Sequence, residues 1–162
     1  MSRLDLEARV TPSVLDRLID LDPGFSQEPP KFRSTSVAEF KQSVRRDLEW
    51  LLNTRCHIEA LDDKLEETPR SVAFYGLPDF TAVSVKSHLE QKRMADAIKA
   101  TVEIFEPRFL NPKVTLEAVE NVDRQLKFRI EATLDIEPTP EPVVFDSILE
   151  PGGGGFTVLD RS

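Results

Sequence analysis

The sequence contains few residues that could carry disulfide, thiol or metal chemistry. It has one cysteine and two histidines among 162 residues. A single cysteine cannot form an intrachain disulfide framework, which fits a reducing compartment. Two histidines and one cysteine do not form a zinc site unless carboxylates lie at suitable spacing, and none is spaced for it. Cys56 and His57 are neighbours in sequence, but adjacency rarely gives the geometry of a catalytic pair.

Long apolar runs are also missing. No run approaches the roughly 20 apolar residues that span a bilayer, and the N-terminus alternates charged with single apolar residues, unlike the apolar core of a signal peptide. We therefore expect a cytoplasmic protein without direct membrane insertion. The formal net charge is −8, and a field of this sign repels the phosphates of nucleic acid. The basic pair Arg45-Arg46 is flanked by Asp47 and Glu49, which favours a solvated helix face over a nucleic-acid groove.

Motifs of nucleotide-binding and hydrolytic enzymes are absent from the sequence. The glycines at 152–155 lack the Lys-Ser/Thr pair of a P-loop and do not open a helix. No Gly-x-Ser-x-Gly nucleophile motif is present. The sequence therefore predicts no cofactor.

The N-terminal segment predicts a short helix set apart from the rest of the chain. Over residues 11–21 the apolar residues form one stripe, and the charged residues, Asp16 among them, face away from it. A turn-rich linker with two adjacent prolines follows at 22–35. The sequence thus predicts an N-terminal arm over 1–33 and one domain over 34–162. The apolar stripe of the arm needs a docking surface, either on its own domain or on a neighbouring subunit.

Two longer amphipathic helices are predicted for the domain. The first covers 36–54 and opens with a capping box, in which Ser36 and Glu39 exchange hydrogen bonds. The second covers 84–105. The tract between them, 55–83, is apolar but interrupted, which predicts short extended pieces around a tight turn.

The C-terminal third changes to the two-residue alternation of β-strands. The clearest strand is 126–136, with one apolar and one polar face. We predict further strands at 113–119, 143–149 and 156–159, the last as a hairpin partner after the glycines. The predicted fold is α+β: two main amphipathic helices packed on a small C-terminal antiparallel sheet, preceded by the N-terminal helical arm.

A charged motif, Glu106-Pro107-Arg108, lies where the second long helix ends. Pro107 has no N–H to donate, which suits the end of a helix. An adjacent guanidinium favours an ionised carboxylate, whereas the general acid of a glycosidase must hold its proton. The motif therefore fits a structural ion pair, within the chain or across a subunit boundary, better than a catalytic site. We predict no enzymatic activity.

Several segments together resemble a known family. They occur in this order along nearly the whole chain: Ser13-Val-Leu-Asp-Arg-Leu-Ile-Asp20, Asp47-Leu-Glu-Trp-Leu-Leu-Asn-Thr-Arg55, Ser71-Val-Ala-Phe-Tyr-Gly-Leu-Pro-Asp-Phe80, Ile104-Phe-Glu-Pro-Arg-Phe109 and Phe145-Asp146. The set resembles the TssE family of baseplate wedge subunits in bacterial type VI secretion systems. That family is similar to the small wedge protein of contractile phage baseplates, which carries a historical "lysozyme-like" label.

The resemblance implies a non-enzymatic subunit of a cytoplasmic baseplate docked at the inner-membrane complex. Such subunits join TssF and TssG in the wedge, which TssK connects to the membrane complex, and they contact the TssB/TssC sheath. The family's Glu-Pro-Arg motif maps onto Glu106, Pro107 and Arg108, which implies that these residues serve partner binding in wedge assembly. An exposed sheet edge would nucleate the sheath by accepting a partner strand. The alternative function is a lysozyme-like peptidoglycan hydrolase.

Overall fold

The computed structural model describes residues 10, 13–19, 24, 36–57, 67–80, 87–117, 126–149 and 155–161. Its α-helices are α1 (Val14–Leu18), α2 (Val37–Asn53) and α3 (His88–Phe105), and its strands are β1 (Phe109–Glu117), β2 (Leu126–Leu134), β3 (Glu141–Leu149) and β4 (Phe156–Asp160). The predictions for 1–9, most of the linker, 58–66, 81–86, 118–125 and 150–154 lie outside the described residues. None of the described helices has the length and apolar character needed to cross a membrane.

Side chains fix where the two long helices begin. The Ser36 hydroxyl accepts from the backbone N–H of Glu39 at 3.2 Å, and the Ser36 N–H donates to the Glu39 carboxylate at 2.9 Å. The predicted capping box is therefore confirmed, and it satisfies two donors that the first helical turn leaves without partners. Ser87 caps α3 in the same way, by accepting from the N–H of Glu90. The helix ends, as predicted, where Glu106 begins the charged motif.

The four strands form one antiparallel sheet in the order β1-β2-β3-β4. Burial alternates without a break along β2, as the sequence predicts. The inner face of the sheet packs against α2 and α3 in a single core, whose fully buried side chains include Leu48, Ile98, Phe128, Ile130 and Phe145. The α+β architecture, with two long helices on a small antiparallel sheet, is confirmed.

The strands differ from the prediction mainly at their ends. β1 begins at Phe109, four residues before the predicted start at 113. Its early part contains a register shift between Leu110 and Lys113, with Asn111 at a φ of 51°. A bulge in an edge strand accommodates such a residue and a neighbouring proline, which strict alternation does not anticipate. β2 ends at Leu134 instead of 136, β3 begins at Glu141 instead of 143, and β4 continues to Asp160.

The segment between α2 and α3 is only partly as predicted. Residues 68–74 form two 3-10 turns, so the expectation of extended pieces is wrong there. The tight turn is present at Gly76, which has a φ of 111°. Directly after it, Leu77 makes two backbone bonds of 2.8 Å: its N–H donates to the carbonyl of Thr54, and its carbonyl accepts from the N–H of Cys56. These bonds hold the segment against the end of α2.

Candidate functional site

Glu106 and Arg108 form an ion pair within the chain. Glu106 is 4% exposed. Its two carboxylate oxygens accept from Nε and Nη2 of Arg108, each at 2.5 Å. This two-point contact is the strongest arrangement of a guanidinium with a carboxylate. Pro107, which lies between them in sequence, is exposed.

Arg108 also connects the end of α3 to α2. Its Nη2 donates to Oδ2 of Asp47 at 2.9 Å, and its guanidinium lies 5.7 Å from the ring centroid of Phe40. Burial alone would lower the pKa of Arg108, but the hydrogen bonds and charges of Glu106 and Asp47 outweigh it and raise that pKa. We call Glu106, Arg108 and Asp47 the clamp.

The same network continues from the clamp to α1. Nη2 of Arg46 donates to Oδ1 of Asp47 at 2.8 Å and to Oδ1 of Asp16 at 2.6 Å. Oδ2 of Asp16 accepts from the hydroxyls of Ser43 and Ser13, at 2.8 and 2.7 Å. Burial would raise the pKa of Asp16, but the hydrogen bonds from Ser13, Arg46 and Ser43 outweigh it and lower that pKa to about 2. A chain of alternating charges thus runs from α3 through α2 to α1.

This contact corrects the predicted orientation of the N-terminal helix. The sequence pattern places Asp16 on the face turned away from a docking surface, but Asp16 is the residue that contacts α2. The apolar residues Val14, Leu15 and Leu18 are exposed, Leu18 to 75%. The pattern of a five-residue helix identifies its apolar face, but the ion pair with Arg46 decides which face contacts the domain. Of the described stripe, Ile19 is half-buried, but these three residues are not buried on their own domain.

A cleft of about 440 Å³ lies beside the clamp. All three clamp residues line it, together with an apolar and aromatic rim formed by Leu15, Trp50, Tyr75, Phe105 and Pro107. The rings of Tyr75 and Phe105 meet edge to face with centroids 5.3 Å apart. Trp50 is 49% exposed. The cleft thus combines apolar surface with fixed charges, which suits a protein partner.

The carboxylates of the clamp are poorly placed for acid–base chemistry. All four oxygens of Glu106 and Asp47 accept hydrogen bonds from Arg108 or Arg46. A proton on any of these oxygens would compete with such a bond, whereas a general acid must hold one. Among the described residues, no group of three or more histidine, cysteine, aspartate or glutamate side chains could hold a metal ion.

The structure places the three predicted site residues together at one end of α3. Sequence reasoning did not assign Asp47, Trp50 or Leu15 to this site. Asp47 lies 61 positions before Arg108 in the sequence, so no local pattern joins them. One sequence feature could have pointed to these residues: Asp47, Trp50 and Leu15 lie within the segments that resemble wedge subunits.

The comparison with protein families covers part of these segments, those with Asp47 and Trp50 but not the one with Leu15. Residues 38–139 match the family described as baseplate wedge protein gp25. The matched range contains the clamp and most of the elements around it, from α2 to β2. Proteins of this family generally have a structural role. Among curated proteins, no match was found. Because the matched range covers more than half of the sequence, this chain belongs to the family of baseplate wedge protein gp25.

Proposed function

We propose that the chain is a non-enzymatic structural subunit of a type VI secretion baseplate. In this proposal it assembles with TssF and TssG in the wedge, and TssK links that wedge to the inner-membrane complex on the cytoplasmic side. The subunit also contacts the TssB/TssC sheath. The family match over residues 38–139 carries the proposal. The internal pairing of Glu106 supports it, because it gives this carboxylate a structural role.

The three motif residues have different tasks in this proposal. Pro107 is exposed at the cleft, whereas Glu106 is buried and Arg108 is half-buried. We assign Pro107 to direct contact with the partner. Glu106 and Arg108 position it by fixing the direction in which the chain leaves α3. Leu15 and Trp50 extend the contact surface across the cleft.

Co-purification with TssF and TssG tests the cleft. We expect Trp50→Ala and Pro107→Ala to remain folded and to lose most of the associated TssF and TssG. Leu89→Ala is the matched control, because Leu89 is also an exposed apolar residue of a helix but does not line the cleft. Wild-type stoichiometry for both cleft variants would show that the cleft is not the wedge contact.

A cell-wall turbidity assay tests the absence of enzymatic activity. We expect the purified chain to leave peptidoglycan turbidity unchanged, because both clamp carboxylates are already bound by arginines. Sustained lysis that Glu106→Gln abolishes would contradict the proposal and favour the hydrolase. A stable monomer without affinity for TssF or TssG would instead indicate an adaptor outside a secretion baseplate.

The sheath contact is proposed to occur by strand addition. An edge strand of the four-stranded sheet presents backbone N–H and C=O groups, which an extended segment of a sheath protein can pair with. Main-chain bonds would supply affinity, and the alternation of side chains would fix the register. Prolines at alternate positions of the free edge should prevent sheath nucleation while the subunit stays folded.

A further inference from the structure

The outer edge of β4 faces α2, and one side chain of α2 replaces a strand there. The N–H of Phe156 donates to Oδ1 of Asn53 at 2.8 Å, and Nδ2 of Asn53 donates to the carbonyl of Phe156, also at 2.8 Å. In an antiparallel ladder, a residue exchanges the same two bonds with its opposite residue. The Asn53 amide therefore satisfies both outward backbone groups of Phe156.

Two further side chains of α2 form hydrogen bonds with both backbone groups of the next outward residue, Val158. Nη1 of Arg45 donates to the carbonyl of Val158 at 3.0 Å, and the N–H of Val158 donates to Oε2 of Glu49 at 3.3 Å. Arg45 and Glu49 also pair with each other at 3.1 Å. Four helical residues rise by about 6 Å and two strand residues by about 6.7 Å, so one helix stripe can follow alternate strand residues. We call Arg45, Glu49 and Asn53 the edge cap.

The pairing pattern shows that these bonds lie on the outer edge of β4. The N–H of Arg161 donates to the carbonyl of Val144 at 3.1 Å. Since donors alternate along a strand, odd-numbered positions of β4 bond to β3, and Phe156 and Val158 point their backbone groups away from it. The edge cap therefore covers the side of β4 that a further strand would need.

The opposite edge of the sheet is different in the part of the chain that the structure describes. The N–H of Asp135 donates to the carbonyl of Arg108, which indicates that odd-numbered positions of β2 bond towards β1. By the register of the two strands, Val114 and Leu116 then point their backbone groups outward. Among the described residues, no side chain donates to or accepts from these groups of β1. The two edges of the sheet are thus unequal.

We propose that the edge cap closes β4, so that the sheet can be extended from β1 only. The occupant of the β1 edge is an extended segment of a sheath-forming partner, and in this respect the inference rests on the proposed sheath contact. With one edge closed, a partner strand can be added at the β1 edge only. It also prevents subunits from pairing through β4, which is the usual hazard of an edge strand.

The inner face of β1 indicates the chemistry of this segment. Val114 and Leu116 are half-buried, whereas the residues that they pair with on β2, Ile130 and Phe128, are completely buried. A partner strand with apolar residues at alternate positions would cover the remaining apolar surface of Val114 and Leu116. A segment without this alternation would leave that surface in water.

Amide hydrogen exchange on the free subunit tests whether the edge cap closes β4, and this test needs no partner. We expect slow exchange at Phe156 and Val158 and exchange roughly tenfold or more faster at Val114 and Leu116, because among the described residues only the first two N–H groups have an acceptor. In the double variant Glu49→Ala/Asn53→Ala, which removes the acceptors of both N–H groups, exchange at Phe156 and Val158 should accelerate roughly tenfold. Unchanged slow exchange in this variant would overturn the edge cap. Arg93→Ala, which removes an exposed ion pair of α3, is the control.

The partner experiment uses purified TssB/TssC with the wild-type subunit. We expect new protection at Val114 and Leu116 upon binding and no change at Phe156 and Val158. Protection that appears outside β1 would overturn the one-sided extension of the sheet. If no complex forms, the proposed sheath contact fails, and the exchange in the free subunit and the double variant still decides whether the edge cap closes β4.

Discussion

Removal of either partner of the buried ion pair should destabilise the fold, but by different amounts. In Arg108→Ala, Glu106, which is 4% exposed in the wild type, loses both hydrogen-bond donors of its carboxylate. An uncompensated buried charge of this kind costs about 3–5 kcal/mol. In Glu106→Ala, the guanidinium keeps Asp47, and its side chain is 22% exposed to water. The expected loss is therefore only about 2 kcal/mol, the size of hydrogen bonds to a charged group.

Urea unfolding of both single variants and of Glu106→Ala/Arg108→Ala measures these losses as a double-mutant cycle. We expect the double variant to be no less stable than Arg108→Ala, because it leaves no buried carboxylate without a partner. The coupling energy should be about 2 kcal/mol. Lys99 and Glu103 form an exposed i,i+4 pair on the same helix and serve as the control. Their coupling should stay below about 0.5 kcal/mol.

Two results would refute this reasoning about the clamp. Equal losses for the two single variants would show that burial of Glu106 does not set the cost. Additive losses would show that the two residues act independently.

Three further changes test other parts of the structure. Gly76→Ala should cost about 2 kcal/mol or more in urea unfolding, because its Cβ would lie 2.4 Å from the Thr54 carbonyl oxygen at a φ of 111°; a loss near zero would contradict this. Because folding lowers the pKa of Asp16 from 3.8 to about 2, its stabilisation is complete above pH 4 and is lost as the pH falls from about 4 towards 2. Solvent screening limits this contribution to about 1 kcal/mol, and Asp16→Asn should remove this acid dependence; an unchanged slope would contradict it. Ser36→Ala should cost about 1 kcal/mol in urea unfolding through loss of the cap. The control on the same helix is Gln42→Ala at an exposed position, and equal losses for these two variants would contradict the role of the cap.

The elements that sequence predicts best are those whose signals are local. The alternation along β2 and the reciprocal hydrogen bonds of Ser36 and Glu39 involve residues a few positions apart. The predicted start of β1 is wrong because a bulge places Asn111 and Pro112 in a strand whose alternation they interrupt. The 3-10 turns at 68–74 escape prediction because short apolar runs without a clear period do not distinguish turns from extended chain.

The candidate site was predictable as a motif but not as a surface. Glu106, Pro107 and Arg108 are adjacent in sequence, and the end of a helix explains their spacing. The orientation of α1 is different, because it depends on the contact of Asp16 with Arg46, 30 positions away. A stripe of apolar residues would ordinarily be expected to face the domain. Here an alternating chain of charges holds Asp16 against the domain and leaves Val14, Leu15 and Leu18 exposed.

The charged residues of α2 show most clearly what sequence reasoning leaves out. The acids that follow Arg45 and Arg46, Asp47 and Glu49, favour a solvated helix face, but each arginine has a specific partner elsewhere in the chain. On a helix of 3.6 residues per turn, Asp47 and the edge cap lie on opposite sides of the apolar stripe of α2. The edge cap bonds to β4, and Asp47 bonds to Arg108 in the clamp. A single helix thereby supports the cleft and closes one sheet edge, so changes on one of its faces need not disturb the contact made by the other.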